Sequence, residues 1–445
     1  MLELVNRGYV YRASSISQEA ETYFRQCFGA KRKMYNLHVA HLYDYLEKSN
    51  YQPEDALPSL KKMGMPTVSQ FKKQCLNEDN MAYLYLVDAF AANEAKQHFN
   101  KAITAFNKTA HKRQYKKSAL KRQKTLGIEP TFHDLKGMPK FKSRKGSKAS
   151  YTTFNQNGTI YIKDDILYLP SAQKSPVKVV GLKLNTHRPL PQDSKIKHVT
   201  VTMNTKGQYD VSICVEIPME ITRVGMPNRI LGLDYSQSHF FVDNEGKKAN
   251  YPYYYLEMEE RLAKERRVLS RRVKGSNRWE KQRLVVSRLE TKVANQRKDW
   301  LHKKAYALAN RYDMIVVENL DLRAIGQNKY YAKNQQDNGF GNFRLYLKYK
   351  LEQRGKYFIK APKKFASTQL CSVCGHKHTA LKGNVSIRKW NCPSCGTHHD
   401  RDVNSAFNLK HYGECYTKKK FYHRSLGFNA YKRVAWSPNS TSSLV

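Results

Sequence analysis

The sequence predicts a multidomain α+β protein, on three observations. Its 445 residues exceed what one hydrophobic core ordinarily serves, so two to four domains are expected. The spacing of apolar residues changes along the chain: helical over the first quarter, a period of two from about residue 150, then alternating strand and helix patterns from about residue 230. Hydrophobic residues make up 40% and aromatic residues 12%, enough to fill several cores, which excludes a disordered basic tail.

Charge identifies the kind of partner. Lys and Arg number 79 against 37 Asp and Glu, a net charge of +42. Repulsion on that scale opposes compaction unless a polyanion binds, so a nucleic-acid partner is the first inference. No apolar run approaches the ~18 residues of a membrane span. The opening stretch turns polar by Glu3 and shows no secretory apolar region, so a soluble, intracellular protein is expected.

The elements follow in order. Tyr9-Val10-Tyr11 reads as a strand within 1–14. Ser15-Ile16-Ser17-Gln18 has capping-box spacing and opens a helical region. Phe24, Cys27, Phe28 and then Met34, Tyr35, His38 and Tyr43 follow a helical period, and helical patterning runs to about 125 with breaks near Pro53, Pro58 and Pro66. Residues 101–150 hold 15 Lys and Arg, with Glu129 and Asp134 as the acids, an excess that favours a phosphate-binding surface over a merely solvated face.

From about 150, Ile160/Ile162 and Ile166/Tyr168 alternate with polar neighbours, and Asn157-Gly158 is a turn signal between strands. Val199, Val201 and Met203 share one strand face, and Tyr209, Val211, Ile213, Val215 and Ile217 share the next, with Lys206-Gly207 between. This is an antiparallel unit, expected to be a small β-barrel. A basic barrel suits oligonucleotides, and a plain scaffold fits the pattern equally.

Ile230-Leu-Gly-Leu-Asp234 reads as a strand ending in its acid, followed by a second strand at 239–242 and a turn at Asn244-Glu-Gly246. Residues 254–310 read as long helices broken around Gly275-Ser276-Asn277, and 261–304 carries 16 Lys and Arg against four acids. Met314-Ile-Val-Val317 is a buried-strand run ended by Glu318. Tyr330, Tyr331, Phe340, Phe343, Tyr346 and Tyr349 are interleaved with Lys and Arg; they read first as core, and would matter as base-stacking platforms.

Two constellations carry chemistry. Cys371-Ser-Val-Cys374 and Cys392-Pro-Ser-Cys395 form C-x2-C-x17-C-x2-C, a spacing suited to one tetrahedral Zn²⁺ held by four thiolates. The intervening loop is expected to form a hairpin that folds both knuckles together. A full shell leaves no open position, so the zinc would be structural. His376, His378, His398 and His399 are alternative ligands nearby, and Cys27, Cys75, Cys214 and Cys415 read as inert thiols.

The second constellation is acidic. Asp234 and Glu318 each end an apolar strand, and Asp402 lies in Asp400-Arg-Asp402-Val-Asn-Ser-Ala-Phe-Asn-Leu409, where a helix can start with its Ala406/Leu409 side packed inward. Singly, Asp402 reads as an N-cap and Asp234 as a turn residue. Together they place three acids at strand ends in a basic domain. Like charges at one place repel unless a divalent cation joins them, and hard oxygen ligands select Mg²⁺ or Mn²⁺. A pair of such ions can cleave a phosphodiester.

Gly232-Leu-Asp234, Val316-Val-Glu318-Asn-Leu320, the two CxxC knuckles and Asp400-Arg-Asp402-Val-Asn404-Ser-Ala406 resemble, in that order, the RuvC-like nuclease set. More closely, the chain resembles the TnpB-type transposon-encoded RNA-guided nucleases and the compact type V CRISPR effectors (miniature Cas12-type). Asp337-Asn-Gly-Phe-Gly-Asn-Phe343, Leu347-Lys-Tyr-Lys350, Gly355 and His187-Arg-Pro189 add to the resemblance. It is strong over 150–410, looser over 1–50, and absent from 50–125 and beyond 415. Tyr235-Ser236 stands where the family often has a glycine, and Ser367-Thr-Gln369 replaces its usual Ser-Ser-Lys.

The resemblance implies an RNase H-like (RuvC) α/β nuclease domain with an inserted zinc ribbon, an oligonucleotide-binding-type β-barrel and a helical recognition domain. In that scheme residues 1–14 are the first strand of the barrel (wedge) domain, 15–130 the helical recognition domain, 131–225 the barrel, 226–366 and 399–415 the nuclease domain, 367–398 the target-loading ribbon and 416–445 a basic tail. Asp234, Glu318 and Asp402 would be catalytic and bind two Mg²⁺ (or Mn²⁺); Asp400 competes for the third place, and the family's Asp-x-Asn-x-Ala pattern selects Asp402. Cys371, Cys374, Cys392 and Cys395 would hold one structural Zn²⁺. The implied partners are a guide RNA and double-stranded target DNA with a short flanking motif, bound by a monomer or a homodimer on one guide, in the prokaryotic cytosol or nucleoid. A strand-transfer transposase and a catalytically silent RNA-guided binder are the alternatives. The first would join strands; the second is expected to lose at least one acid.

Overall fold

A computed structural model describes residues 2–77, 81–108, 114–144, 149–172, 175, 179–322, 337–384 and 386–422. The chain divides into two compact units, residues 3–219 and the chain from 220 onward with the first two residues.

In the unit spanning 3–219, β1 (Leu2–Ser15) leads into α1 (Gln18–Lys48). The helix is capped by Ser17, whose hydroxyl accepts from the Ala20 amide, and not by Ser15 as the spacing suggested. Ser15 is still in the β1 ladder, opposite Lys183, so its backbone is committed to the strand. The helices α2 (Val68–Gln74), α3 (Ala89–Asn107) and α4 (Lys117–Leu126) follow, and α1 packs on α3. Lys31 of α1 pairs with Glu94 of α3 at 2.8 Å, both nearly buried. The same carboxylate accepts from the amide and hydroxyl of Thr152. Such an ionic group survives burial because its remaining lone pairs are filled.

Thr152 lies in β2 (Ala149–Phe154), which is followed by β3 (Tyr161–Lys163), β4 (Ile166–Pro170), β5 (Val179–Asn185), β6 (Lys195–Met203) and β7 (Tyr209–Glu220). They join β1 in one seven-stranded sheet of order β2-β6-β7-β1-β5-β4-β3. Tyr209, Val211, Ile213, Val215 and Ile217 are all buried, as their alternation predicts.

Asn157-Gly158 makes the expected turn between β2 and β3, although these strands pair with β6 and β4 and not with each other. The tight hairpin is β3–β4, turned by Asp164 and Asp165 with φ of +50° and +60°. In β4 the buried face is Leu167 and Leu169, while Ile166 and Tyr168 are half-buried, because both faces are apolar and alternation cannot choose between them. His187-Arg188-Pro189 sits on β1: the Arg188 guanidinium lies 4.8 Å over the Tyr9 ring, and its carbonyl accepts from Tyr11 Oη.

The second unit is built on β8 (Ile230–Ser236), β9 (Phe240–Asp243), α5 (Tyr254–Ser270), α6 (Asn277–Arg311), β10 (Met314–Val317), α7 (Phe340–Glu352), β11 (Tyr357–Lys360), β12 (Lys389–Asn391), β13 (His398–Asp400) and α8 (Arg401–Tyr422). Its main sheet has the order β11-β10-β8-β9; β10 runs parallel to both neighbours and β9 antiparallel to β8. Helices cover both faces, which explains the continuously apolar strands. Leu231, Leu233, Ile315 and Val317 pack toward α6 and α7, while Ile230, Met314 and Val316 cluster with Leu409 of α8.

The segment before α7 is an anchor. The buried Asp337 carboxylate accepts from Arg297 of α6 at 2.9 Å and from the Tyr255 amide at the start of α5. Phe340 and Phe343 are core residues, Tyr346 is half-buried against that core, and Tyr349 is exposed; Tyr330 and Tyr331 lie outside the described residues. The tail expected from 416 starts late. Helix α8 continues through 416–422 because Tyr416 and Thr417 pack beneath it, and 423–445 lie outside the described residues. Among the described residues, no helix is long and apolar enough to cross a membrane.

Candidate active site and four-cysteine cluster

Parallel pairing brings the first two acids together. Leu233 of β8 stands opposite Val317 of β10, so Asp234 and Glu318 occupy the next position on adjacent strands. Asp234 does not end its strand: β8 runs two residues further, paired with β9, because Tyr235 and Ser236 continue the ladder opposite Phe241 and Phe240. Asp234 is therefore a buried strand residue and no turn residue. The third acid arrives on α8, which packs on β8.

At the start of α8, Asp400 accepts from the amides of Asp402 (3.0 Å) and Val403 (3.2 Å). Asp400 is thus the side chain that caps the helix, and the N-cap reading of Asp402 is corrected. Asp402 lies in the first helical turn, near enough to the other two acids that its charge bears on both.

Each carboxylate has its own neighbour. Ser405 Oγ donates to Asp234 Oδ1 at 2.9 Å, and Ser367 Oγ donates to Glu318 Oε1. Arg388 Nη1 reaches both oxygens of Asp402, at 3.3 and 3.4 Å. Burial pushes the Asp234 carboxyl well above the usual carboxylate range; Glu318 and Asp402 add to this, and Ser405 and Arg401 oppose it. Burial raises Glu318 too, with Asp402 adding and Ser367 and Arg401 opposing. A buried acid and a half-buried one, both held toward the neutral form, lie near a third, and their hard oxygens suit a divalent cation, which would stabilise the charged forms.

Sequence reasoning missed Ser405, Ser367 and Arg401. Ser405 had a signal, since it lies three residues after Asp402 and shares its helix face. Ser367 had none, because its role depends on Glu318 on a distant strand.

The cysteines form the tighter group. The sulfurs of Cys371, Cys374, Cys392 and Cys395 all lie within 4.8 Å of one another. Cys371–Cys395 is 3.7 Å and Cys374–Cys392 is 3.5 Å. Zn–S bonds of ~2.3 Å in a tetrahedron place sulfurs about 3.8 Å apart, so the cluster has the dimensions of a zinc shell. The two knuckles are built alike. In each, the first Cys amide bonds a carbonyl five residues on, and the glycine after the second Cys (Gly375, Gly396) donates back with φ of +77° and +72°. The expected hairpin differs from the one observed. Its strands, β12 and β13, flank the second knuckle itself, because the long loop is occupied by the turn at 379–381.

Of the four histidines nearby, His399 touches the cluster, with Nε2 3.0 Å from Cys371 Sγ and its ring on Trp390. His398 bonds Asn391, and His378 lies beside Trp390. Helix α8 holds the first knuckle: Asn404 donates to the Leu370 carbonyl and accepts from the Ser372 amide, and Asn408 donates to the carbonyls of Ser367 and Leu370. One helix thus carries Asp402 and Ser405 to the carboxylates and fastens the cysteine module beside them.

Known proteins fit this arrangement. A family model described as "Probable transposase" (OrfB_IS605) matches residues 212–329, which include Asp234 and Glu318. The model "Cas12f1-like, TNB domain" matches 340–409, which include the four cysteines and Asp402. A Streptomyces pristinaespiralis protein is 26% identical over 92% of this chain and 90% of its own length. InsQ of Escherichia coli (strain K12) is 31% identical over 48% of this chain and 56% of its own. Both bear the name "Putative RNA-guided DNA endonuclease". A Cas12f1 chain solved with its guide RNA and target DNA is 15% identical, covering 92% of this chain and 99% of that one, with a TM-score of 0.46. The segments that carry the motifs are those the family models match, and over them the chain is similar to the TnpB-type, miniature Cas12-like proteins.

Proposed function

We propose that this protein is an RNA-guided DNA endonuclease that hydrolyses phosphodiesters at Asp234, Glu318 and Asp402. The observation that carries the reading is the convergence of three acids from separate motifs in a chain of net charge +42. The names of its relatives, RNA-guided DNA endonucleases, supply the guide and the DNA. In this reading the nuclease domain is RNase H-like, the seven-stranded sheet serves as an oligonucleotide-binding-type barrel, and the helices of 18–126 grip guide RNA and heteroduplex.

The three carboxylates would hold the divalent ions, two Mg²⁺ or Mn²⁺. When bound, these supply Lewis acidity at the phosphate and lower the pKa of water near it. The chain's own groups do the rest. Ser405 and Ser367 orient Asp234 and Glu318, so that each presents its remaining lone pairs inward. Arg401 places positive charge by Asp234 and Glu318 and donates to the Asn384 carbonyl, joining the ribbon to the site. The four cysteines would hold one structural zinc and keep the ribbon folded beside the site. Hydrolysis breaks the bond from phosphorus to the 3′ oxygen, adds water across it, and leaves 5′-phosphate and 3′-hydroxyl ends.

The match to a transposase model favours strand transfer as the second reading. Sequencing the RNA that copurifies, then incubating the complex with Mg²⁺ and matching duplex DNA, separates the two. A discrete RNA with a variable end and cut DNA support the proposal; joined strands without a guide favour transfer.

A further inference from the structure

Helices α6 and α7 lie side by side and run in the same direction: His302 meets Tyr346, Tyr306 meets Lys350, and Asn310 meets Arg354. Their shared surface is aromatic and basic. The rings of His302 and Tyr346 stack at 3.9 Å and 10°. Tyr306 is 52% exposed and Tyr349 37%. Lys350 Nζ lies 5.5 Å from the centre of the Tyr306 ring and 5.3 Å from that of Tyr349, and the Arg354 guanidinium is 5.1 Å from Tyr306. Arg354 is steadied by two neutral acceptors, Asn310 Oδ1 and the Lys350 carbonyl, so those bonds fix its direction without cancelling its charge. Burial, then Lys350 and Lys298, hold His302 below the ordinary histidine range, with Asp299 opposing.

We infer that this face binds single-stranded nucleic acid, with bases stacking on Tyr306 and Tyr349 and phosphates meeting Lys350 and Arg354. Exposed rings and fixed cations are the two features that sequence-tolerant single-strand binding needs. A duplex hides its base faces and gains nothing from the tyrosines. From His302 to Asn310 the helix rises about 12 Å, room for three or four nucleotides at ~3.4 Å each. The inference does not depend on the carboxylates, and its test needs no cleavage.

The full-length protein is irradiated with 5-iodouracil-substituted oligo-dT or oligo-rU, in excess unlabelled blunt duplex, and crosslinked peptides are mapped. Crosslinks to Tyr306 or Tyr349 are expected, and the better probe identifies DNA or RNA as the source. Tyr306→Ala with Tyr349→Ala should remove them and weaken single-strand binding about tenfold or more, leaving duplex binding unchanged. The double Phe variant should restore both. Three results overturn the inference: no crosslink in α6 or α7 with single-strand affinity unchanged in the Ala variant, equal loss for duplex and single strand, or a change of oligomeric state with binding intact. The last would make the face a protein interface.

Discussion

Gly232 and Ala406 are in backbone contact: a Cβ on Gly232 would lie 1.9 Å from the Ala406 carbonyl oxygen and 2.7 Å from the Lys410 amide. This approach of α8 to β8 lets Ser405 reach Asp234. Gly413 does the same one end further along, where a Cβ would meet Val316 and Ile230 at 2.7 and 2.9 Å. Gly232→Ala should therefore displace α8, lowering stability by about 2–3 kcal/mol and abolishing DNA cleavage. Guide-RNA binding should persist. A variant with wild-type Tm and full cleavage would show that the helix is free to move away.

Asp400 and Asp402 should separate by experiment. Asp402→Ala is expected to eliminate cleavage with little change in Tm. Asp400→Ala removes a helix cap, costing about 1 kcal/mol, and should leave measurable cleavage. The reverse pattern, with Asp400 indispensable and Asp402 dispensable, would exchange their roles.

Ser405→Ala leaves the buried Asp234 carboxylate without its hydroxyl donor. Loss of an orienting partner typically costs 10–100-fold in metal affinity or activity. The Mg²⁺ concentration for half-maximal cleavage should rise by roughly tenfold or more, and Ser405→Thr should recover part of it. Calorimetry of Mn²⁺ binding reads the same loss without cleavage. Unchanged Mn²⁺ affinity would assign Ser405 to packing alone.

Removing the cysteine site should be local. Cys374→Ser, or chelation, is expected to reduce zinc from one equivalent per chain to none, and to open 371–400 to trypsin at Lys377 and Lys382. Structural zinc contributes on the order of 10 kcal/mol to such small modules, so partial retention of the fold is not expected. DNA engagement should fall while RNA binding holds. Metal analysis showing no zinc in the wild type would reject the site.

Asp337→Ala would strand Arg297 and uncap α5. Breaking a buried ion pair costs about 3–5 kcal/mol, so a Tm loss should be evident, with cleavage impaired because α5, α6 and α7 all meet at this carboxylate. A drop of less than a degree would mean that water replaces it without cost.

Much of this was legible in the chain itself. The four cysteines are close in sequence, and the reach of each knuckle is local, so spacing alone predicted their meeting. The alternation of Tyr209 through Ile217 and the apolar runs at 230–233 and 314–317 named core strands, because burial acts residue by residue. The charge of +42 pointed to a polyanionic partner, which the proposed function takes up. Tertiary structure decided what depends on distant segments. Parallel registration of β8 with β10 set Asp234 beside Glu318; the Gly232 contact brought in Asp402; and Ser367 reached Glu318 across the fold. It also settled competitions that local patterns leave open: Ser17 over Ser15 as the cap, Asp400 over Asp402 at the helix start, and Leu167/Leu169 over Ile166/Tyr168 as the buried face. Ser15 lost because the neighbouring strand had already bound its backbone, Asp400 won because β13 ends on it and the helix starts at the next residue, and Leu167/Leu169 form the face the core could cover.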